Sequence, residues 1–315
     1  MTTRVSNLAS NKLIQSTILR TQDRILDRQL QISTLQKSQN YAGIADETNR
    51  LVTMEASRRK VEQYMSESSN VKLRMDTMLN SMDSLKTTMK DVEGLVRDLL
   101  DDGTLADGID KDDFAAVKIA EIEDFLNVRV AGRYLFSGSL TETKPVSPGD
   151  LTTAPANTAT PPAFSTVAEP SFYYEGDQTK LKARLNEGLE VQYGVTADEP
   201  AFEKLIRTVR ILRSTPLTDP DIRTKMQEAA NLITEAKENM EALELNVGTK
   251  MEQLGRTLIT LKTSKNFMDG IVSDLESADT TTAVAELTQD QTMLEASYNV
   301  LVRLSQLTLT KYLGV

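Results

Sequence analysis

The sequence contains no cysteine, no histidine and no tryptophan among its 315 residues. Without cysteine there is neither a disulfide framework nor a thiolate nucleophile. Without histidine the chain lacks the usual general base near neutral pH and the commonest metal ligand. No serine–lysine pair is accompanied by an oxyanion loop. We therefore expect no enzyme, no catalytic residue, no metal site and no bound cofactor.

Long apolar runs are also missing, and so is a cleavable secretory signal at the start of the chain. The net charge is −10, which argues against a general nucleic-acid binder because such a protein needs a basic surface. Charge is uneven, however. Residues 1–40 carry six basic and two acidic side chains. This end of the chain suits a membrane surface, an acidic partner helix or a solvated helix face.

Proline is confined to the middle of the chain. All nine prolines lie between Pro145 and Pro220, so two long segments contain none. Because proline breaks helix interiors, this distribution predicts two helical arms around an inserted, non-helical segment.

Both arms show the alternating steps of four and three that are typical of a coiled-coil seam. The first seam runs from Tyr64 to Leu99 and includes four methionines, which suit an irregular core. The second runs from Ala236 to Leu275, within a helix that we expect to begin near Pro220. The acidic segment 101–113 fails the spacing of a calcium loop. We interpret it as a turn, with Asp110 capping the next helix.

Further helices are predicted outside the two seams, one at each end of the chain. Their apolar rows are too broad to remain in water, so each helix needs a partner. The rows predicted to form an assembly interface consist of Ile18, Ile25, Ile32, Leu294, Tyr298, Leu301, Leu304 and Leu307. Leu19 and Leu26 lie beside the first row, with Leu30 and Leu35 nearby, and Met293 and Val300 lie beside the second.

Residues 147–170 are rich in threonine, alanine and proline, which is typical of irregular loop. Alternation from Phe172 to Val195 then predicts a small β meander, and a helix returns at Pro200. The stretch VAGRYLFSGSLTETKP (130–145) is interpreted as the joint between helical rod and head. Val130 and Ala131 are expected to end a helix. The predicted joint residues are Gly132, Tyr134, Phe136 and Gly138.

The predicted fold is mainly α: a long antiparallel coiled-coil or helical-bundle rod formed by the N- and C-terminal arms, with a small inserted β-rich head. Terminal helices occupy 1–40 and 280–315, the rod 41–135 and 198–279, and the head 136–197.

Both ends of the chain resemble the flagellin superfamily. The helix–turn–helix RQLQISTLQKSQNYAGIADETNRL (28–51) and the terminal helix entered through Glu276-Ser277-Ala278-Asp279 are similar to its terminal motifs. The joint 132–145, with Tyr174-Glu175-Gly176-Asp177, is closer to the type 3 hook-associated proteins, which join the hook of the flagellum to the filament. Some filament flagellins share the Phe-Ser-Gly joint.

This resemblance implies a structural protein of the bacterial flagellum, a hook–filament junction adaptor assembled from many copies through its terminal helices. Filament flagellin is the alternative, and a cytoplasmic coiled-coil scaffold is a third interpretation. It implies pairing of the terminal helices as an inner tube. It also implies uncleaved export through the flagellar type III apparatus, an export chaperone on the C-terminal helix, and assembly outside the cell. The implied partners are copies of the chain, other hook-associated proteins and flagellin.

Overall fold

The computed structural model describes residues 2–41, 45–101, 110–147 and 173–313. The chain divides into two units. One consists of Met1–Lys60 and Thr263–Val315, and the other of Val61–Lys262. We call them the terminal unit and the central unit.

Helices dominate the described residues, as the proline distribution predicts. The helices are α1 (Thr2–Thr34), α2 (Ala45–Asp101), α3 (Lys111–Leu126), α4 (Pro200–Ser214), α5 (Ile222–Glu276) and α6 (Thr280–Leu313). The strands are β1 (Arg129–Val130), β2 (Arg133–Tyr134), β3 (Lys182–Arg184) and β4 (Glu190–Gln192). The prediction of a mainly α fold with a small β part is confirmed.

The central unit is built on the two predicted seams. On α2, Val71, Met75, Met78, Met82 and Leu85 are all buried, as are the later seam positions through Leu99. On α5, the buried seam residues are Ala236, Met240, Val247, Leu254 and Leu261. Side chains from both helices form one continuous hydrophobic core.

Ion pairs show that α2 and α5 run antiparallel in the central unit. Lys86 lies 2.9 Å from Glu244, and Lys237 lies 2.9 Å from Glu93. Partner numbers therefore fall on α5 as they rise on α2. The antiparallel arrangement of the two arms is as predicted.

Local capping sets two of the helix starts. Asp110 accepts hydrogen bonds from the backbone N–H groups of Asp112 (2.8 Å) and Asp113 (3.2 Å), so it caps α3 as predicted. Helix α5 begins at Ile222, two residues later than expected. There the Asp219 carboxylate accepts from the Asp221 N–H and the Asp219 carbonyl accepts from the Ile222 N–H. Residues 102–109, which include most of the acidic segment, lie outside the described residues.

The expectation that Val130 and Ala131 end a helix is wrong. Helix α3 ends at Leu126, and β1 and β2 form an antiparallel hairpin with Arg129 opposite Tyr134. The reason is a tertiary contact. Asn127 both donates to the Val146 carbonyl (2.8 Å) and accepts from the Val146 N–H (3.0 Å), which fixes the chain just beyond the helix.

A second hairpin pairs β3 with β4, with Ala183 opposite Val191. Tyr174 forms an isolated antiparallel bridge with Val146, so one end of the predicted meander is present as a single bridge. Phe172 lies outside the described residues. Each named strand is two or three residues long, and β3 and β4 are shorter than the sequence pattern suggested.

The terminal unit contains α1, α6 and the adjoining ends of α2 and α5. Backbone hydrogen bonds join the two connections: the Lys37 N–H donates to the Glu276 carbonyl at 2.7 Å, and the Ala278 N–H to the Leu35 carbonyl at 2.9 Å. A small core of Leu51, Val272 and Leu275 lies in this unit.

Candidate assembly surface

Helices α1 and α6 pack against each other in the terminal unit. Arg24 lies 2.7 Å from Asp290, and Arg28 lies 2.5 Å from Glu286, so the two helices run antiparallel. The Arg24 guanidinium donates to both carboxylate oxygens of Asp290. Because a forked contact of this kind fixes geometry as well as charge, it sets the register of the helix pair.

One side of α1 is covered by this pairing. Ile18 and Thr21 are buried, and Ile25 and Ile32 are half-buried. These three isoleucines are the first row of the predicted assembly interface. Since α6 is the helix packed on α1, Ile18 is covered within the subunit, whereas Ile25 and Ile32 keep part of their surface open. The role of this row in assembly stays a prediction.

The matching side of α6 shows the same partial burial. Ala283 and Asp290 are buried, and Leu294 and Leu301 are half-buried. Tyr298 is 43% exposed, and its hydroxyl accepts a hydrogen bond of 2.9 Å from the Gln22 side-chain amide. Leu304 and Leu307 fall in the helical range of α6, but their side chains lie outside the described residues.

A second apolar row on α1 remains exposed. Leu19, Leu26 and Leu30 are 60%, 59% and 48% exposed. At about 100° per residue they lie within about 40° of one another, and about 110° around the helix from Ile18 and Ile25. We call these three residues the outer leucines of α1. On α6, Met293 and Val300 are likewise exposed, seven positions apart.

The four predicted joint residues all lie in the central unit. Gly132 has φ +78° and follows Ala131 with φ +51°, so together they form the tight turn of the β1–β2 hairpin. Tyr134 and Phe136 are buried, and the Phe136 ring meets that of Phe202 on α4 edge-on, with centroids 5.7 Å apart. Gly138 has φ +70°.

Gly138 is held against a carboxylate that the site prediction did not include. Asp177 accepts from the Ser139 N–H at 2.7 Å and from the Thr179 N–H at 3.1 Å, and also accepts from the Ser139 hydroxyl. The hydroxyl bond, followed by the two backbone bonds, lowers the pKa of Asp177 below its ordinary value. The sequence signal was the Gly-Asp turn at 176–177, which identifies a turn but not its partner.

Across the described ranges there is no group of three or more histidine, cysteine, aspartate or glutamate side chains suited to hold a metal ion. Among the same residues, no helix has the length and apolar content that crossing a bilayer requires.

The carboxylate of Asp279 caps the start of helix α6. Asp279 accepts from the side chain of Thr282 at 2.8 Å and from the backbone N–H groups of Thr281 and Thr282. These bonds, the side-chain bond of Thr282 first, hold the pKa of Asp279 below its ordinary value of 3.8. The cap therefore stabilises the folded state above that value, and the stabilisation is lost as pH falls through the lower folded pKa.

We predict that Asp279→Ala destabilises the first turn of α6 at pH 7 and removes this part of the acid sensitivity. Asp279→Asn keeps an N-cap acceptor without a titrating group, so it should protect the turn at both pH 7 and pH 3. Amide hydrogen exchange at Thr281–Ala283 measures the effect. Equal exchange in the wild type and in Asp279→Ala at pH 7 would contradict it.

The C-terminal helices are similar to a region of a known protein family. Residues 230–313 match the family model described as the bacterial flagellin C-terminal helical region. This segment spans most of α5 and all of α6. No curated protein sequence matches the chain at a significant level.

One solved structure shares the fold at low sequence identity, and two further solved structures match with lower TM-scores. A structure described as a flagellar hook-associated protein of Vibrio parahaemolyticus has 15% identity over 72% of this chain and 96% of its own, with a TM-score of 0.55. FlgL of Bacillus cereus has 15% identity over 73% and 99%, with a TM-score of 0.43. Hook-associated protein 3 of Legionella pneumophila has 13% identity over 79% and 99%, with a TM-score of 0.43.

These observations define the class of protein: the chain is a mainly α protein whose residues 230–313 are similar to the bacterial flagellin C-terminal helical region. Its fold is similar to that of the V. parahaemolyticus hook-associated protein. The resemblance to the flagellin superfamily is confirmed at the C-terminal end of the chain.

Proposed function

We propose that this chain is a structural subunit of the bacterial flagellum that acts as a hook–filament junction adaptor. Many copies assemble through their terminal helices. The observation that carries the proposal is that α1 has two apolar sides, of which the α6 pairing covers one. Exposed leucines on a helix whose other side is already packed indicate a further protein contact.

In this proposal the Ile18, Ile25 and Ile32 row and the Leu294, Tyr298 and Leu301 row join α1 to α6 inside each subunit, with Leu304 and Leu307 extending the second row. The outer leucines of α1 then contact the neighbouring copy. Residues 1–40 and 280–315 form the inner tube, 41–135 and 198–279 the surrounding helical layer, and 136–197 the head. Contacts that do not close into a pair propagate as a tube.

The proposed partners beyond copies of the chain are other hook-associated proteins and flagellin. We further propose that the chain is exported uncleaved through the flagellar type III apparatus, with an export chaperone on α6, and assembles outside the cell. A passive adaptor of this kind needs no catalytic group, which agrees with a sequence that lacks histidine and cysteine.

The test replaces the outer leucines of α1 with aspartate in one variant, Leu19→Asp/Leu26→Asp/Leu30→Asp. Three buried charges at a subunit contact are strongly unfavourable, so incorporation into sheared flagella should fall at least about tenfold. Helicity by circular dichroism should stay unchanged because these side chains are solvent-exposed in the subunit. Incorporation at the wild-type level would show that the outer leucines of α1 do not form the contact between subunits.

A matched control changes three exposed leucines of the central unit to aspartate. Leu73, Leu140 and Leu217 are similarly exposed leucines in the central unit. Leu73→Asp/Leu140→Asp/Leu217→Asp should incorporate normally. If both triple variants fail equally, the defect reflects added charge and not the α1 surface.

Filament flagellin is the second candidate, since the matched family model describes a flagellin region. Immunogold labelling of intact flagella separates the candidates. Label confined to the end of the hook supports the adaptor, and label along the whole filament supports flagellin. Label found inside cells and absent from flagella would support the scaffold interpretation instead.

A further inference from the structure

Helix α5 carries a second row of residues on the side away from its buried seam. The row steps alternately by four and three and lies within the central unit. Its members are Glu241, Leu245, Gly248, Glu252, Gly255, Ile259 and Lys262. At about 100° per residue, the row lies about 120° around the helix from the buried Val247 and Leu254. We call it the outer row of α5.

The two aliphatic members of the outer row are strongly exposed. Leu245 is 73% exposed and Ile259 is 69% exposed. Gly248 and Gly255 have no atom within 4 Å of the place where a Cβ would stand. Glycine is a poor helix former, and nothing in the central unit requires its small size at these positions. Folding of the subunit therefore explains neither the aliphatic side chains nor the glycines.

The order of residue types along the outer row is the same from either end, except that the two end residues carry opposite charges. From either end the order is charge, aliphatic, glycine, glutamate, glycine, aliphatic, charge. An antiparallel second copy, related by a two-fold axis near Glu252, would place Leu245 opposite Ile259 and Gly248 opposite Gly255. It would also place Glu241 opposite Lys262.

Charge favours this orientation over a parallel one. In a parallel pair Glu241 would meet Glu241 and Lys262 would meet Lys262, which is repulsive at both ends. At the centre, Glu252 accepts a hydrogen bond of 2.9 Å from Arg256 of the same helix. The Glu252 carboxylates of the two copies would lie near the axis, and each would already be paired with Arg256 of its own helix.

We propose that the outer row of α5 docks onto the same row of a second copy of this chain, antiparallel and about a two-fold axis. The glycines allow the two backbones to approach closely, and the aliphatic side chains pack beside them. The row is about 32 Å long, so the interface belongs to the small, weak class, and we expect dimers at tens to hundreds of micromolar.

A two-fold contact of this kind is closed. It would hold subunits as pairs in solution and compete with incorporation into a tube. The proposal does not rest on the flagellar role, because it concerns the purified chain alone.

Disulfide cross-linking tests the orientation. Because the chain has no cysteine of its own, each introduced cysteine is the only thiol that can react. Leu245→Cys and Ile259→Cys proteins of different mass are mixed at about 100 μM and oxidised mildly. We expect the mixed 245–259 disulfide to exceed both homodimers at least about fivefold. An excess of 245–245 and 259–259 disulfides, or no disulfide at about 1 mM, overturns the proposal.

The matched control moves each cysteine by one position. Asn246→Cys and Thr260→Cys lie next to the test residues, are exposed, and point about 100° away from the row. They should form the mixed disulfide at a background level. A yield equal to that of the 245–259 pair would mean random collision and would overturn the docking.

A second measurement separates docking from folding. Gly248→Gln/Gly255→Gln should raise the thermal midpoint by about 2–6 °C, because glutamine is the better helix former. It should also weaken dimerisation at least about tenfold by blocking close approach. Gly94→Gln on α2, another exposed helical glycine with open space, should raise the midpoint and leave dimerisation unchanged.

Sedimentation equilibrium measures the dimer, with the outer leucines of α1 changed to aspartate in every sample so that contacts through α1 do not contribute. Undiminished dimerisation of the glutamine variant, or a lowered thermal midpoint, overturns the role assigned to the two glycines.

Discussion

Replacing Gly138 with alanine is expected to destabilise the central unit by about 2–5 kcal/mol. Two causes add. The φ of +70° costs a residue with a Cβ about 1–2 kcal/mol. The new Cβ would also stand 2.2 Å from the Asp177 carbonyl oxygen and 2.2 Å from its Oδ1, and relieving such a clash costs about 1–3 kcal/mol.

A glycine series separates these causes. Gly132 has φ +78° but open space around the Cβ position, so Gly132→Ala should cost about 1–2 kcal/mol. Gly188 has neither a positive φ nor a close neighbour, so Gly188→Ala should be within about 0.5 kcal/mol of the wild type. Guanidinium denaturation, followed by the near-ultraviolet circular dichroism of tyrosine, gives the three values. Equal costs for Gly132→Ala and Gly138→Ala would contradict the clash with Asp177.

The helical seams could be predicted from the sequence because their signal is local. Helix geometry brings residues three and four positions apart to one side, so Met75, Met82 and Met89 identify a buried side without knowledge of the partner. Proline exclusion is equally local, and it correctly placed the long helices outside the segment from Pro145 to Pro220. The Asp110 cap was predictable for the same reason, since its hydrogen bonds span two and three residues.

The end of α3 could not be predicted in this way. The sequence after Leu126 continues with Val128 and Val130, which gives no stop signal as strong as proline. What ends the helix is the pair of hydrogen bonds between Asn127 and Val146, nineteen residues apart. A contact at this separation belongs to the tertiary structure. Its result is a hairpin in place of the last helical turn.

The side of α1 that packs against α6 could also not be predicted from the sequence. Periodicity shows two apolar rows on α1, one beginning at Ile18 and the other at Leu19, and both have the spacing of a buried side. The choice between them depends on the ion pair of Arg24 with Asp290, which joins residues 266 positions apart. The interface on the terminal helices stays a prediction, and the sequence analysis named the exposed leucines only as neighbours of its first row.

The second large effect is expected at Phe136. Its side chain is fully buried and lies edge-on to Phe202, with an angle of 78° between the rings. Its carbonyl oxygen accepts a hydrogen bond of 2.9 Å from the Ala197 N–H. Phe136 thus connects the segment after the β1–β2 hairpin to the start of α4. Removing the ring leaves a cavity in the core, so Phe136→Ala should cost about 3–5 kcal/mol.

The ring contact itself is measured with leucine, which keeps most of the apolar volume. A double-mutant cycle of Phe136→Leu and Phe202→Leu should give a coupling energy of about 0.5–1.5 kcal/mol, the size expected for an edge-on aromatic pair. Leu140→Ala is the control, because Leu140 is exposed in the same segment and should change stability by less than about 0.5 kcal/mol. A cost below about 1 kcal/mol for Phe136→Ala would mean that this segment does not contribute to the core. In that case Gly138→Ala should cost only the about 1–2 kcal/mol of its positive φ, because a segment that does not pack would not hold Gly138 against Asp177.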